Sequence, residues 1–255
     1  GNFKKAEEIC KKIKAEIIAK EDFLLCGIAA ARETFKTADS GVKFEQKIKE
    51  GGQVRAKDVI AVVSGKANSI LRAERVALNL LSLLSGVATK TRKFVKEIRP
   101  FKTKITDTRK TIAGLRELQK YAVRAGGGYN HRIRLDEMVL IKDNHLKILG
   151  GYSKLPDAPY GCKIEIETQN LEEFRHALNF EPDIIMLDNM SIKDIKKAVK
   201  IRNKVRFKKQ RTLLETSGGI HLGNIKKYAA TGVEIISIGE LTDSVESVDI
   251  SLEVI

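Results

Sequence analysis

The sequence predicts an α/β protein in which a smaller N-terminal α+β domain is joined to an incomplete parallel α/β barrel. Two observations carry this. From Lys163 onward one unit repeats, a short β-branched run, a polar or glycine-bearing turn and an amphipathic helix, which is the signature of parallel β/α architecture. Before about residue 100 the texture differs, with short strand-like runs broken by Gly51-Gly52 and Ser64-Gly65. At 255 residues the chain has room for both, but a closed eight-stranded barrel alone takes about 250 residues. An open barrel fits.

Taken in order, Lys4–Ile18 reads as an N-terminal helix, and Val54–Ala56 and Asp58–Val63 as strands. A long helix follows over Ala73–Arg99, where Val76, Leu80, Leu81, Leu84, Val87, Phe94 and Ile98 make a broad apolar face that must be covered by a domain or a second subunit. Thr103–Thr106 and Met138–Ile141 read as the first barrel strands, with a helix over Gly114–Arg124 between them. The remaining strands are placed at Lys163–Glu167, Asp183–Leu187, Thr212–Glu215 and Glu234–Ile238, with helices such as Asn170–Leu178 and Ile192–Arg202 between them. The expected division is a small domain over residues 1–85, completed by the C-terminal segment 245–255, and a barrel over 86–244.

Composition excludes some classes and leaves others open. Apolar residues make up 42% and charged residues 31%, a balance that supports a folded core. The longest apolar run, Ile60–Val63, is far short of the roughly 18 residues a membrane span requires, and the first residues lack a signal-peptide core. Three cysteines, Cys10, Cys26 and Cys162, have neither disulfide-frame nor zinc-site spacing and read as reduced cytoplasmic thiols. The net charge of +14 fits a solvated surface, a nucleic-acid footprint or a site for a small polyanion.

In a barrel the ligand sits beyond the C-terminal strand ends. Here those ends are polar. Arg109, Lys110, His131, Arg132 and Lys142 all fall in or beside strand-end loops, interleaved with Thr and Gly, and their chemistry suits an anion pocket. Ser217, Gly218 and Gly219, paired with Gly239 after the last strand, have the make-up of a phosphate grip, although a Ser-Gly-Gly turn is also an ordinary loop. Glu167 and Asp188 end two successive strands. Two carboxylates at a barrel mouth can hold Mg²⁺ or stabilise a developing cation, or they can simply cap helices and pair with lysines.

Several motifs then fall in one order: Glu74–Asn79 with Ser85-Gly86-Val87-Ala88-Thr89, Asp107-Thr108-Arg109-Lys110-Thr111, Gly126–Arg132, Leu140–His145, Ser217-Gly218-Gly219-Ile220 and Val248–Leu252. Together they resemble the quinolinate phosphoribosyltransferases over nearly the whole chain. The resemblance implies that quinolinate and phosphoribosyl pyrophosphate give nicotinate mononucleotide, pyrophosphate and carbon dioxide, with Mg²⁺, on the de novo route to NAD. It also implies a homodimer in which each subunit completes its partner's site.

By the same resemblance Arg109, His131, Arg132 and Lys142 bind quinolinate, Lys110 lies near both substrates, and Arg75 reaches in from the neighbouring subunit. Glu167 and Asp188 fall beside the ribose and Mg²⁺, and Ser217, Gly218, Gly219 and Gly239 hold phosphate. Three departures stand out. A leading family segment containing Gly-Asp-(Ile/Leu)-Thr is not found, which predicts an N-terminal sheet short of an element. The family's Leu-Thr-His-Ser is Leu241-Thr242-Asp243-Ser244 here, and its Thr-Pro-Gly is Ile112-Ala113-Gly114. An acid at residue 243 opposes phosphate unless it is paired.

Two rivals remain at this stage. A relative of molybdenum-operon type would act on another pyridine or acceptor; His131-Arg132 and Leu140–His145 favour quinolinate. A basic nucleic-acid module is opposed by the absence of Trp, 5% aromatics and lysines scattered along helices, such as Lys193, Lys196, Lys197 and Lys200.

Overall fold

The structure is a computed structural model and describes residues 11–151, 161–208 and 210–255. Two compact units form. The first takes the chain up to Arg92 together with Glu117–Gly127 and Ser244–Ile255; the second takes Lys93–Arg116 and Gly128–Asp243.

In the first unit, strands β1 (Lys12–Ala19), β3 (Lys43–Gln46), β5 (Val59–Lys66) and β12 (Ile250–Val254) make an antiparallel sheet in the order β12-β1-β5-β3. Strands β2 (Phe23–Leu24) and β4 (Gln53–Val54) pair separately. The expected N-terminal helix is overturned wherever it is described. Over residues 12–19 the buried side chains are Ala15, Ile17 and Ala19, a period of two, so the apolar set faces one side of a strand and cannot form a helical stripe. Its earlier residues, and Cys10, lie outside the described part. The strand expected over Val54–Ala56 is also shorter, because the turn after β4 puts Lys57 at φ 76°.

The core of this unit gathers Ile17, Phe23, Leu25, Phe35, Ile60, Val63 and Leu81 with Val248 and Ile250. Helix α1 (Ile28–Ala38) supplies Phe35, and the long α2 (Ala67–Glu97) supplies Leu81. Along α2, Leu81, Leu84, Val87 and Phe94 are buried as the apolar face predicts. Val76 is 54% exposed instead, and Ala73, Ala77 and Leu78 take the inner positions. A Cβ on Gly86 would stand 2.2 Å from the backbone oxygen of Glu246, so only glycine lets the C-terminal segment lie against α2.

The second unit is a parallel sheet of six strands: β6 (Lys104–Thr106), β7 (Met138–Ile141), β8 (Lys163–Thr168), β9 (Ile184–Asp188), β10 (Leu213–Ser217) and β11 (Ile235–Ser237). Their order is β6-β11-β10-β9-β8-β7, so β6 and β7 are the two edges and the barrel stays open. Each β-branched run forms a strand, and the following helices, α5 (Leu171–Leu178) and α6 (Ile192–Arg202), turn Phe174, Ile195 and Ala198 inward. Asn170 caps α5 by accepting from Glu172 and Glu173 amides, and Ser191 caps α6 from Asp194. Between β6 and β7 runs α3 (Arg116–Ala125), and α4 (Asp143–Leu149) follows β7.

Candidate active site

Strand phase decides which side chains enter the barrel. On β8, Glu165 and Glu167 share the inward face; on β10, Glu215 and Ser217 do; on β9, Met186 and Asp188 do. Glu167, Glu215, Ser217, Met186 and Asp188 line a cavity of about 880 Å³ at the C-terminal ends of the strands, within the second unit.

One wall is basic. Arg109 and Lys110 leave β6, His131 and Arg132 come from the loop before β7, and Lys142 follows β7; all five line the cavity. The loop carrying His131 is tied to β6. Tyr129 donates its amide to Ile105 O at 2.8 Å, and the fully buried Asp107 accepts from the His131 amide at 2.9 Å and from the Asn130 side chain at 2.5 Å. Arg132 donates from Nη1 to Met138 O at 2.8 Å. The Nε atoms of both Arg109 and Arg132 are buried with no hydrogen-bond partner among the described residues, which leaves donors for an anion. Burial and the neighbouring Arg109 hold the Arg132 guanidinium below its ordinary value, against the pull of Glu165.

The rest of the lining is acidic and glycine-rich. Glu167 accepts from Lys142 Nζ at 2.7 Å, so the lysine pairing weighed from the sequence is present even though Glu167 also faces the cavity. Asp188 accepts from Asn189 Nδ2 at 2.9 Å. Gly218 and Gly219 have φ of 96° and 59°, and a Cβ on Gly218 would meet Asn189 Oδ1 at 2.1 Å. Ser217 donates to Ser237 O at 3.3 Å. Gly239 opens a short 3-10 turn (Gly239–Leu241), and a Cβ there would meet Asp243 Oδ2 at 2.9 Å and the Lys110 stem at 3.3 Å. Asp243 therefore stands in the proposed grip, beside Lys110.

Eleven of the twelve residues singled out from the sequence line this one cavity: Arg109, Lys110, His131, Arg132, Lys142, Glu167, Asp188, Ser217, Gly218, Gly219 and Gly239. Arg75, exposed on α2 of the first unit, does not line it. Sequence reasoning missed Glu165 and Glu215. His131 Nε2 lies 2.9 Å from Glu165 Oε2 and 3.7 Å from Glu215 Oε1, and both carboxylates are fully buried. Their signal was available, because each stands two residues before a strand-end site residue and so shares its face.

The model of the N-terminal domain of quinolinate phosphoribosyl transferase matches residues 3–85, and that of the C-terminal domain matches residues 87–253. The chain belongs to the quinolinate phosphoribosyl transferase family. A probable nicotinate-nucleotide pyrophosphorylase (carboxylating) of Methanocaldococcus jannaschii is 42% identical over 96% of this chain and 87% of its own length. The Bacillus subtilis protein of the same description is 40% identical over 97% and 84%. Among solved structures, the nicotinate-nucleotide pyrophosphorylase of Francisella tularensis superposes with a TM-score of 0.88 at 40% identity, covering 96% of this chain and 87% of that one. The two family models meet between residues 85 and 87, whereas the first unit also takes residues up to Arg92, Glu117–Gly127 and Ser244–Ile255.

Proposed function

We propose that the protein transfers the phosphoribosyl group of phosphoribosyl pyrophosphate to the ring nitrogen of quinolinate and releases the adjacent carboxylate as carbon dioxide, giving nicotinate mononucleotide and pyrophosphate on the de novo route to NAD. The observation that supports it most is the make-up of the cavity lining: orphaned guanidinium donors with His131 and Lys142 around β6 and β7, and a Ser-Gly-Gly turn with positive-φ glycines after β10. The first matches a planar dicarboxylate and the second a phosphate. Membership of the family and the carboxylating names of its relatives supply the reaction.

The residues divide the work by charge. Arg109, Arg132, His131 and Lys142 hold the two carboxylates and fix the pyridine nitrogen toward the sugar, so that orientation lowers the barrier. Ser217, Gly218, Gly219 and Gly239 hold the 5′-phosphate through backbone N–H groups. As the pyrophosphate departs, Glu167 and Asp188 stabilise positive charge on the ribose ring, and Lys110 stands beside the leaving group. Once the nitrogen carries ribose, its positive charge draws in the electrons of the breaking carbon–carboxylate bond, and no general base is called on.

Glu167 and Asp188 fit a hard cation: each has one oxygen taken, by Lys142 and Asn189 respectively, and a second for coordination. Mg²⁺ held there with water and substrate phosphates would neutralise pyrophosphate charge. Arg75 would complete the site of a second subunit in a homodimer. Cys26 and Cys162 are free, and no helix of the described residues is long and apolar enough to cross a membrane, which supports a cytoplasmic setting. The test supplies Mg²⁺ and phosphoribosyl pyrophosphate with either quinolinate or nicotinate. Nicotinate mononucleotide and carbon dioxide are expected from quinolinate; product from nicotinate alone overturns the reading.

A further inference from the structure

Two fully buried acids, Glu215 in the cavity lining and Glu165 behind it, have no task in the reaction as proposed. Glu165 and Glu215 flank His131, whose side chain is only 8% exposed, and the ligand atoms of all three lie within 4.8 Å of one another. Glu165 Oε2 meets His131 Nε2, while Glu165 Oε1 and both oxygens of Glu215 have no partner in good hydrogen-bond geometry among the described residues, Ser237 standing near Glu215. An isolated buried carboxylate costs far more than a protonated one, and such groups take up a proton instead. One imidazolium can balance one of the two acids. Glu165 lies nearer the imidazole, at 2.9 Å against 3.7 Å for Glu215, so Glu215 is the acid with less to balance a charge.

We propose that Glu215 is a positioning residue that remains a neutral carboxylic acid beside the His131–Glu165 pair, and that this neutrality spares the basic groups around His131 an opposing charge when they take a dianionic pyridine dicarboxylate. The inference rests on the quinolinate reading and deepens it. Among the basic groups expected to face the dicarboxylate, His131 lies against Glu165 and Lys142 against Glu167, while Arg109 and Arg132 each keep a buried Nε donor with no hydrogen-bond partner among the described residues. An ionised Glu215 would add a negative charge behind these groups and weaken their hold on a dianion.

The groups that face Glu215 are Glu165 on β8, His131 on the loop before β7 and Ser237 on β11. Burial and the charge of Glu165 push its carboxyl up to about 8, against smaller opposing pulls from His131 and Ser237. The acid form therefore prevails at neutral pH and is lost as pH rises through about 8.

The test measures KM for quinolinate and kcat from pH 6.5 to 9.5 for the full chain, with Mg²⁺ and saturating phosphoribosyl pyrophosphate. The expected result is a quinolinate KM that climbs about tenfold between neutral pH and pH 9, as a single group titrating near 8 requires. Glu215→Gln, which copies the uncharged acid, removes that climb. A wild-type KM flat to pH 9, or a Glu215→Gln protein that keeps the climb, overturns the proposal.

A second readout needs no turnover. Infrared difference spectra on raising the pH should show a buried protonated carboxyl disappear in the wild type, and not in Glu215→Gln; no such band in the wild type also overturns it. Stoichiometric retention of Zn²⁺ or Mn²⁺ lost in Glu215→Gln would do the same, by showing that a metal occupies the trio. If quinolinate is not consumed at all, the function proposed above fails, while the infrared titration still decides the state of Glu215.

Discussion

Replacing Gly218 by Ala tests the phosphate grip where the geometry is least forgiving. The residue sits at φ 96°, and a Cβ there would lie 2.1 Å from Oδ1 and 2.5 Å from Cγ of Asn189. A left-handed conformation costs an L-residue about 1–2 kcal/mol before any contact is counted. The contact cannot be relieved locally. Asn189 is itself in the left-handed region at φ 53°, its amide donates to Ser217 O at 2.9 Å, and its side chain donates to Asp188 at 2.9 Å. Moving it disturbs Asp188 and the turn together. The expected outcome is a KM for phosphoribosyl pyrophosphate raised about tenfold to a hundredfold, equivalent to about 1.4–2.7 kcal/mol, with quinolinate binding much less affected. Gly51→Ala is the control: φ is 74° but no atom lies within 4 Å of the added carbon, so only the conformational cost applies. Steady-state kinetics for both substrates, with thermal melts of both variants, read the result. A folded Gly218→Ala protein whose phosphoribosyl pyrophosphate KM stays within about twofold of wild type would refute the grip.

Three further outcomes follow from other contacts. Arg202 is fully buried and donates to Thr212 O at 2.7 Å and to both oxygens of Glu234 at 3.1 and 3.0 Å, so Arg202→Ala should destabilise the second unit by about 3–5 kcal/mol in denaturant unfolding; a loss under about 1 kcal/mol would contradict the pairing. Asp243→Asn removes an acid from beside Gly239 and Lys110 and should lower the phosphoribosyl pyrophosphate KM about fivefold, or about 1 kcal/mol; a raised KM would show that the carboxylate assists binding. If Arg75 serves a second subunit, mixing inactive Arg75→Ala with inactive Lys142→Ala should restore activity that neither has alone, since a hybrid dimer contains one intact site; no recovery on mixing, with exchange of subunits verified by mass, would place Arg75 outside it.

The β/α portion was legible because local signals and tertiary demand agree there. Ile192–Arg202 forms a helix over the residues its periodicity marks, and Met138–Ile141 a strand over its apolar run. Lys12–Ala19 was not legible as a strand because Ile13, Ile17 and Ile18 also satisfy a helical spacing. The choice is made by β5 and β12, which pair with this strand from distant positions in the chain. The cationic half of the site was visible because Arg and Lys crowd the strand-end loops. Glu165 and Glu215 stayed hidden because each lies among Ile, Leu and Thr in a buried strand, where an acid reads as an interruption. Their meaning depends on His131, which arrives through a loop after three glycines and is fixed by Asp107.

That hidden pair changes what the net charge of +14 means for the site. The excess suggested a strongly positive pocket, yet several of its cationic groups meet an acid: Lys142 lies against Glu167 and His131 against Glu165, while Asp243 stands beside Lys110. Positive charge left without a partner would tighten the hold on every anion alike, product and pyrophosphate included, and so would oppose turnover. Pairing these groups before substrate arrives gives the Arg109 and Arg132 guanidinium groups, with buried Nε donors unpartnered among the described residues, the larger share in discriminating by geometry. Selectivity for a dicarboxylate then depends on the position of these two donors and on the proton that keeps Glu215 neutral. The lysines of α6, at 193, 196, 197 and 200, contribute to the overall balance from outside the cavity lining.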